Sequence, residues 1–343
     1  MTFIKDTKTV LAGFNLVLKS TATAPVIRPT PLISWLSPIQ PLPVLIPLRI
    51  TDGVTRIIPV LPDLFLYPNL MQSICQRIGQ DSLVEWEQKP YELTGVEVDF
   101  NELHIIQVSI SAIKPLPATL GRAIHALFFH WLAVANPTLA EHLHQQNIMP
   151  ITLAMQYCSS QKMQLRITLL TREILAPLLW GLSGNLGGEI VLADIPCRLG
   201  KWIDIVQASS FEKLALQPTQ NVIELQFLSP TSFKQNQNIQ PFPLPELVFG
   251  NLLRRWNRFA PEALQFSEVE WKGLVSAYEL KTYALKMEGG AEIGSEGWVK
   301  YRFSDPEQAR IATVLANFAV FAGVGRKTAM GMGQTALKIN KIS

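Results

Sequence analysis

A chain of 343 residues with 48% hydrophobic and 17% charged residues is a folded protein with a substantial interior, long enough for two or three modest domains; intrinsic disorder is excluded. The formal net charge of +3 permits an RNA partner without demanding one, but from Lys300 onward seven Lys/Arg face two acids, so positive charge gathers at the C-terminal end. Three widely spaced cysteines (Cys75, Cys158, Cys197) form neither a disulfide framework nor a zinc site, and no uninterrupted apolar run reaches the roughly 18 residues of a spanning helix, so a soluble, cytoplasmic protein is expected.

The first residues have the outline of a secretory signal, with Lys5 and Lys8 before VLAGFNLVL and then Ala22–Thr23–Ala24. Asn15 and Lys19 interrupt the apolar run and Asp6 sits in its basic region, which argues against export. Ten of the 24 prolines lie between Pro25 and Pro68, interleaved with Ile, Leu and Trp. Proline disfavours helix interiors and central strands. An extended, proline-punctuated segment packed on the rest of the protein is predicted there, with a helix near Leu70–Ile78.

From Leu103 the pattern sharpens. HIIQVSISAI alternates and is β-branched, a strand. Leu120–Ala135 is a helix with apolar residues on most faces, Asn136–Pro137 breaks it, and a second helix runs over Thr138–His144. Strands follow at Ile151–Met155, Gln164–Leu169 and Gly188–Leu199, with a helix at Glu173–Leu182, the order of a ferredoxin-like βαββαβ unit. A second set contains strands at Val222–Leu228, Ser276–Met287 and Gly297–Phe303, helices at Glu246–Phe259 and Pro306–Ala322, and a last strand at Gln334–Ile339. Periodicity supports α+β.

Between the final helix and strand lies GVGRKTAMGMGQ (Gly323–Gln334). Two Gly-x-Gly pairs, Gly323/Gly325 and Gly331/Gly333, bracket Arg326 and Lys327. Glycine admits positive φ and close approach of the backbone to a ligand, and the two cations suit phosphates. A nucleotide P-loop is excluded: Arg326 separates Gly325 from Lys327, the glycine spacing differs, and too little chain follows to build the domain. Read alone, the stretch is either a glycine turn closing the last strand or a ligand loop.

The form Gly-hydrophobic-Gly, five residues, Gly-hydrophobic-Gly after a helix resembles the signature loop of the RAMP superfamily of CRISPR-associated proteins. The nearest likeness is to the endoribonuclease that processes precursor CRISPR RNA, the sixth Cas family. GRAIHALFFHWLAVANPTLAEHLH resembles the family's first helix and following turn. LQFLSPTSFK with LPLPELVFGNLLRRWNRFAP resembles its second-domain strand, basic loop and helix, and EGWVKYRF and FAVFAGVGRKTAMGMGQ its closing segments. The likeness covers about residues 102–340. It implies two tandem ferredoxin-like (RRM-like, RAMP) domains, at 102–218 and 219–343, behind a proline-rich N-terminal extension at 1–101.

The resemblance further implies cleavage of CRISPR repeat RNA without metal or cofactor, by attack of a 2′-hydroxyl on its own phosphate, leaving a 2′,3′-cyclic phosphate and a 5′-hydroxyl. Such a reaction needs a base, an acid and cations for the phosphorane. All five histidines fall between His104 and His144. Matching from Asn136–Pro137 onward puts His144 at the position of the family's catalytic histidine. Phe129 and Pro150 stand where family members often carry a tyrosine and a lysine, so His125 and His130 are further catalytic candidates. As RNA-binding candidates the sequence offers Gly323, Gly325, Arg326, Lys327, Gly331 and Gly333 in the loop, Lys234 in SPTSFK, and Arg254 and Arg255 before Trp256. The rival reading is a non-catalytic RAMP subunit that grips CRISPR RNA among effector-complex partners; a homodimer also stays open.

Overall fold

The computed structural model describes residues 11–21, 29–48, 54–79, 82–118, 120–287 and 290–338. The N-terminal part is a folded sheet with its own interior. It contains β1 (Gly13–Ser20), β2 (Thr30–Pro31), α1 (Leu32–Trp35), β3 (Val44–Pro47), β4 (Thr55–Val60), α2 (Tyr67–Ile78), β5 (Leu83–Trp86) and β6 (Lys89–Asp99). The strand order is β2-β5-β6-β1-β4-β3. Phe14, Leu16 and Leu18 project from β1 onto one face, as the period of two requires, and pack with Leu32, Trp35, Tyr67, Leu70 and Ile74. The extended, proline-punctuated segment predicted here is therefore corrected to a six-stranded sheet. Pro31 and Pro47 lie on the outermost strands, where a missing amide is tolerated, and Pro59 and Pro90 of the inner strands β4 and β6 fall outside the stretches paired with β1. The predicted helix at Leu70–Ile78 lies within α2. The signal-like run Gly13–Leu18 is central strand, whereas residues 1–10 and 22–24 of that reading lie outside the described residues.

The next unit comprises β7 (Leu103–Ala112), α3 (Gly121–Ala135), α4 (Pro137–His144), β8 (Ile151–Ser159), β9 (Lys162–Leu169), α5 (Leu175–Ser183), β10 (Glu189–Leu192), β11 (Ile195–Leu199), β12 (Asp204–Ser209) and α6 (Phe211–Ala215). Its sheet runs β10-β11-β7-β9-β8, and β12 shares the outer edge of β7 with β11. The single strand predicted over 188–199 is a hairpin turning at Ala193–Asp194, both at positive φ, and β12 escaped the sequence reading. Alternation along β7 divides two interiors: Ile106, Val108 and Ile110 face α3 and α5, whereas Leu103 and Ile105 join the last unit.

That last unit comprises β13 (Val222–Thr231), β14 (Phe233–Gln235), β15 (Asn238–Gln240), α7 (Pro245–Phe259), β16 (Leu274–Met287), β17 (Gly290–Arg302), α8 (Pro306–Ala322) and β18 (Thr335–Lys338). Its sheet order is β16-β17-β13-β18. Both this unit and the preceding one thus place the first and third strands of a βαββαβ chain side by side at the centre. β17 begins seven residues earlier than predicted, so β16 and β17 form a hairpin reaching past the rest of the sheet. Ile339, the predicted end of the last strand, lies outside the described residues. Among the described residues no helix is long and apolar enough to cross a membrane.

Candidate active site and glycine loop

The site forms where the two βαββαβ units meet. α3 ends because Pro137 cannot continue it. The Asn136 side chain then accepts a hydrogen bond from the Leu139 amide (2.9 Å), capping α4 and turning the chain back. The turn returns His144 to the flank of α3, its ring centroid 5.9 Å from that of His125. Phe129, one helical turn beyond His125, packs against both rings, at 4.8 Å from His125 and 5.0 Å from His144. His144 is exposed and His125 is only 8% exposed.

His125 is also tied to the glycine loop, 204 residues away, its Nδ1 donating to the Ala329 carbonyl at 3.1 Å. That bond places the proton of the neutral ring on Nδ1 and leaves the lone pair on Nε2. Burial pushes the His125 pKa down; the bond to Ala329 opposes this in part, and the charge of His144 lowers it further. His130 comes five residues after His125, about 140° around the helix axis. It is exposed and away from this pair, so the structure unites two of the three candidate histidines. His142 is exposed on α4, and His104 lies buried at the N-terminal junction, bonded to Asp99 (2.7 Å).

The glycine loop leaves α8 under tight restraint. Thr152 and Arg166 of the preceding unit donate to the Phe321 and Val320 carbonyls (3.2 and 3.0 Å), satisfying the helix end. Gly323, Gly325, Gly331 and Gly333 all take positive φ, as does Lys327 at 53°. The close approach that glycine permits is to the chain itself: a Cβ on Gly325 would lie 2.4 Å from the Ser232 oxygen, and one on Gly333 2.1 Å from the Val324 oxygen. The Gly325 amide donates to Asn251 Oδ1 and the Arg326 amide to the Ser232 oxygen, both at 3.0 Å. These two backbone amides are therefore spent on holding the loop.

Arg255 is buried, not on a solvated helix face. Its Nη1 donates to Thr328 Oγ1 (2.8 Å), and among the described residues no carboxylate lies within ion-pair distance of it. Burial, followed by the charge of Arg254, lowers its pKa to about 10. Arg255 thus braces the single helical turn Thr328–Met330 that presents the Ala329 carbonyl. Arg254 and Lys234 are exposed, the latter on β14 two residues beyond Ser232. Arg326 and Lys327 both meet the carboxylate of Glu292 on β17, at 3.1 and 2.5 Å. Glu292 and Thr328 are the site residues that sequence reasoning missed. Thr328 lies within the glycine stretch but carries no signal of its own there, and Glu292 belongs to no recognisable motif; only the folded hairpin brings Glu292 to the loop.

The two βαββαβ units and the glycine loop between α8 and β18 give the chain a RAMP-like fold. A family model for the CRISPR-associated endoribonuclease Cas6 matches residues 225–335. The Cas6 endoribonuclease of Streptococcus thermophilus is 21% identical over 162 residues, 45% of this chain and 67% of that protein. Among solved structures, a Cas6 product complex is 26% identical with a TM-score of 0.64, covering 69% of this chain and 100% of its own. Thermus thermophilus Cas6 is 25% identical with a TM-score of 0.55, covering 69% and 99%. By the family model, the curated relative and the solved structures alike, the chain resembles the Cas6 CRISPR-associated endoribonucleases.

Proposed function

We propose that this protein cleaves CRISPR repeat RNA in the precursor transcript by metal-independent transesterification, with His125 and His144 as the proton-transfer pair. The observation that carries the reading is the convergence of these two rings across the break between α3 and α4, with His125 held against the glycine loop. His125, held neutral with a bare Nε2, is the base. It takes the proton from the 2′-hydroxyl as that oxygen attacks the adjacent phosphorus. The P–O5′ bond then breaks, and His144 as imidazolium donates a proton to the departing O5′. The products are a 2′,3′-cyclic phosphate and a 5′-hydroxyl, with no net change in protons once the histidines re-equilibrate.

Lys234 and Arg254 are exposed cations suited to the RNA backbone, and Arg255 acts indirectly, by bracing the loop. In this reading the units at 102–218 and 219–343 are tandem ferredoxin-like RAMP domains, and the N-terminal sheet is an added domain. The decisive test incubates purified protein with cognate repeat RNA in EDTA and maps the ends. Cyclic phosphate and 5′-hydroxyl termini are expected, and a 2′-deoxy substitution at the scissile nucleotide should abolish cleavage while leaving binding nearly intact. A strict need for added magnesium would sink the chemistry; tight binding without cleavage would favour a gripping subunit.

A further inference from the structure

The strongest cation pair in the glycine loop is already occupied by an anion from the protein itself. Glu292 sits on β17 opposite Leu285, where the hairpin runs beyond β13 and reaches the loop. One carboxylate oxygen meets Arg326 Nη1 and the other Lys327 Nζ, a two-pronged bridge resembling the way two phosphate oxygens would engage the same cations. The groups are not sealed away: Arg326 and Lys327 side chains are each 30% exposed and Glu292 is 19% exposed. The hydrogen bond from Lys327 is the main influence holding the Glu292 carboxyl below the usual glutamate range, so the anion is fully formed at neutral pH.

Resting on the reading above, we propose that Glu292 is a built-in phosphate surrogate: it fills the backbone-phosphate site made by Arg326 and Lys327 and is exchanged for a phosphate when RNA binds. With the Gly325 and Arg326 amides committed to Asn251 and Ser232, the anion in this site is held by side chains. A glutamate side chain has three rotatable bonds, so its carboxylate leaves by rotation alone while β17 stays paired with β16. If Glu292 stayed, it would face the incoming phosphate as a like charge, which makes exchange the lower-energy course. The exchange sets a threshold. Weak or isolated anions do not displace a tethered carboxylate, whereas an RNA anchored elsewhere on the protein does, because its local phosphate concentration is high.

The test compares wild type with Glu292→Gln, which keeps the shape and removes the charge, and with Glu292→Lys. Repeat-RNA affinity is measured at four salt concentrations on the full-length chain, and binding of inorganic tripolyphosphate is measured by calorimetry. Glu292→Gln should bind repeat RNA about five-fold more tightly, the scale of one partly exposed ion pair no longer opposing the ligand. Its slope of log affinity against log salt should steepen by roughly 0.7–0.9, one further phosphate neutralised by unmasked cations. Glu292→Lys should bind at least as tightly as Glu292→Gln, and Arg326→Ala should cost more in the Gln background than in wild type. Unchanged or weaker RNA binding by both Glu292 variants would overturn the proposal, because a carboxylate that merely positions the cations predicts that loss. Should wild type fail to bind repeat RNA, the reading of function falls, and tripolyphosphate decides the surrogate separately: tighter binding by Glu292→Gln upholds it, and equal binding ends it.

Discussion

A buried imidazole that donates through Nδ1 has one nitrogen left to accept a proton. At His125 burial keeps that nitrogen bare to lower pH than an exposed histidine would, and His144 adds to the effect. If His125 is the base, the acidic limb of the pH–rate profile should lie below the ordinary histidine value near 6.5. His125→Ala should erase that limb and slow single-turnover cleavage by roughly 10²–10⁴-fold, whereas His144→Ala should erase the alkaline limb at similar cost. The same shift has a stability consequence of fixed sign. Because the folded pKa is depressed, the unfolded chain binds the extra proton first. Stability is therefore full above the unfolded pKa and declines as pH falls toward the folded one. Thermal melts of His125→Phe across that window should show a flatter pH dependence than wild type. An acidic limb at or above 6.5 that survives His125→Ala would reassign the base.

At the scale of elements, the glycine loop is a clamp, its backbone locked against Ser232, Asn251 and Val324. Substituting Gly333 or Gly325 forces a side chain into left-handed backbone and into the carbonyls of Val324 or Ser232. Gly333→Ala should therefore cost at least about 1–3 kcal/mol, read as a lower denaturant midpoint, and should slow cleavage by displacing Ala329 from His125. Arg255→Met should behave oppositely: the buried, uncompensated guanidinium is replaced by a similar volume, so stability should hold or rise while cleavage slows. Partial recovery of rate in Arg255→Lys would show that the hydrogen bond to Thr328 carries the effect. Much of this element was legible: α8 as a helix, the break at Asn136–Pro137 from its proline, and the loop from its paired glycines. The acceptors were not. Arg326 and Lys327 read as free cations because Glu292 stands over 30 residues away on a hairpin whose register no local pattern fixes. His125 was separable from His130 only after Ala329, from the far end of the chain, chose one face of α3.

At the scale of the whole molecule, the N-terminal sheet is built into the rest rather than tethered to it. Ile46, Ile58 and Val60 from β3 and β4 complete the interior that contains Leu175, Leu178 and Leu182 of α5, while Ala176 of α5 belongs to the N-terminal interior. Leu48 bridges to Ile203, and Asp99 at the end of β6 is the partner of the fully buried His104. A separable accessory would leave the body formed by the two βαββαβ units able to stand without it. Here the shared interior argues that it cannot. Leu16→Ala lies wholly within the N-terminal interior and Ile58→Ala within the shared one, and each should cost about 2–5 kcal/mol or somewhat less. If the interiors melt together, both substitutions should lower the same single transition and raise hydrogen exchange at the α5 amides. Deleting residues 1–101 should go further, baring the flank of α5 and stranding His104 without Asp99, so the remaining chain should aggregate or melt well below wild type. The opposite result would be a truncated protein that melts and cleaves like the full chain, with Leu16→Ala leaving α5 exchange untouched. The sheet would then be a separable accessory, and its contacts with α5 would hold it in place without stabilising the body.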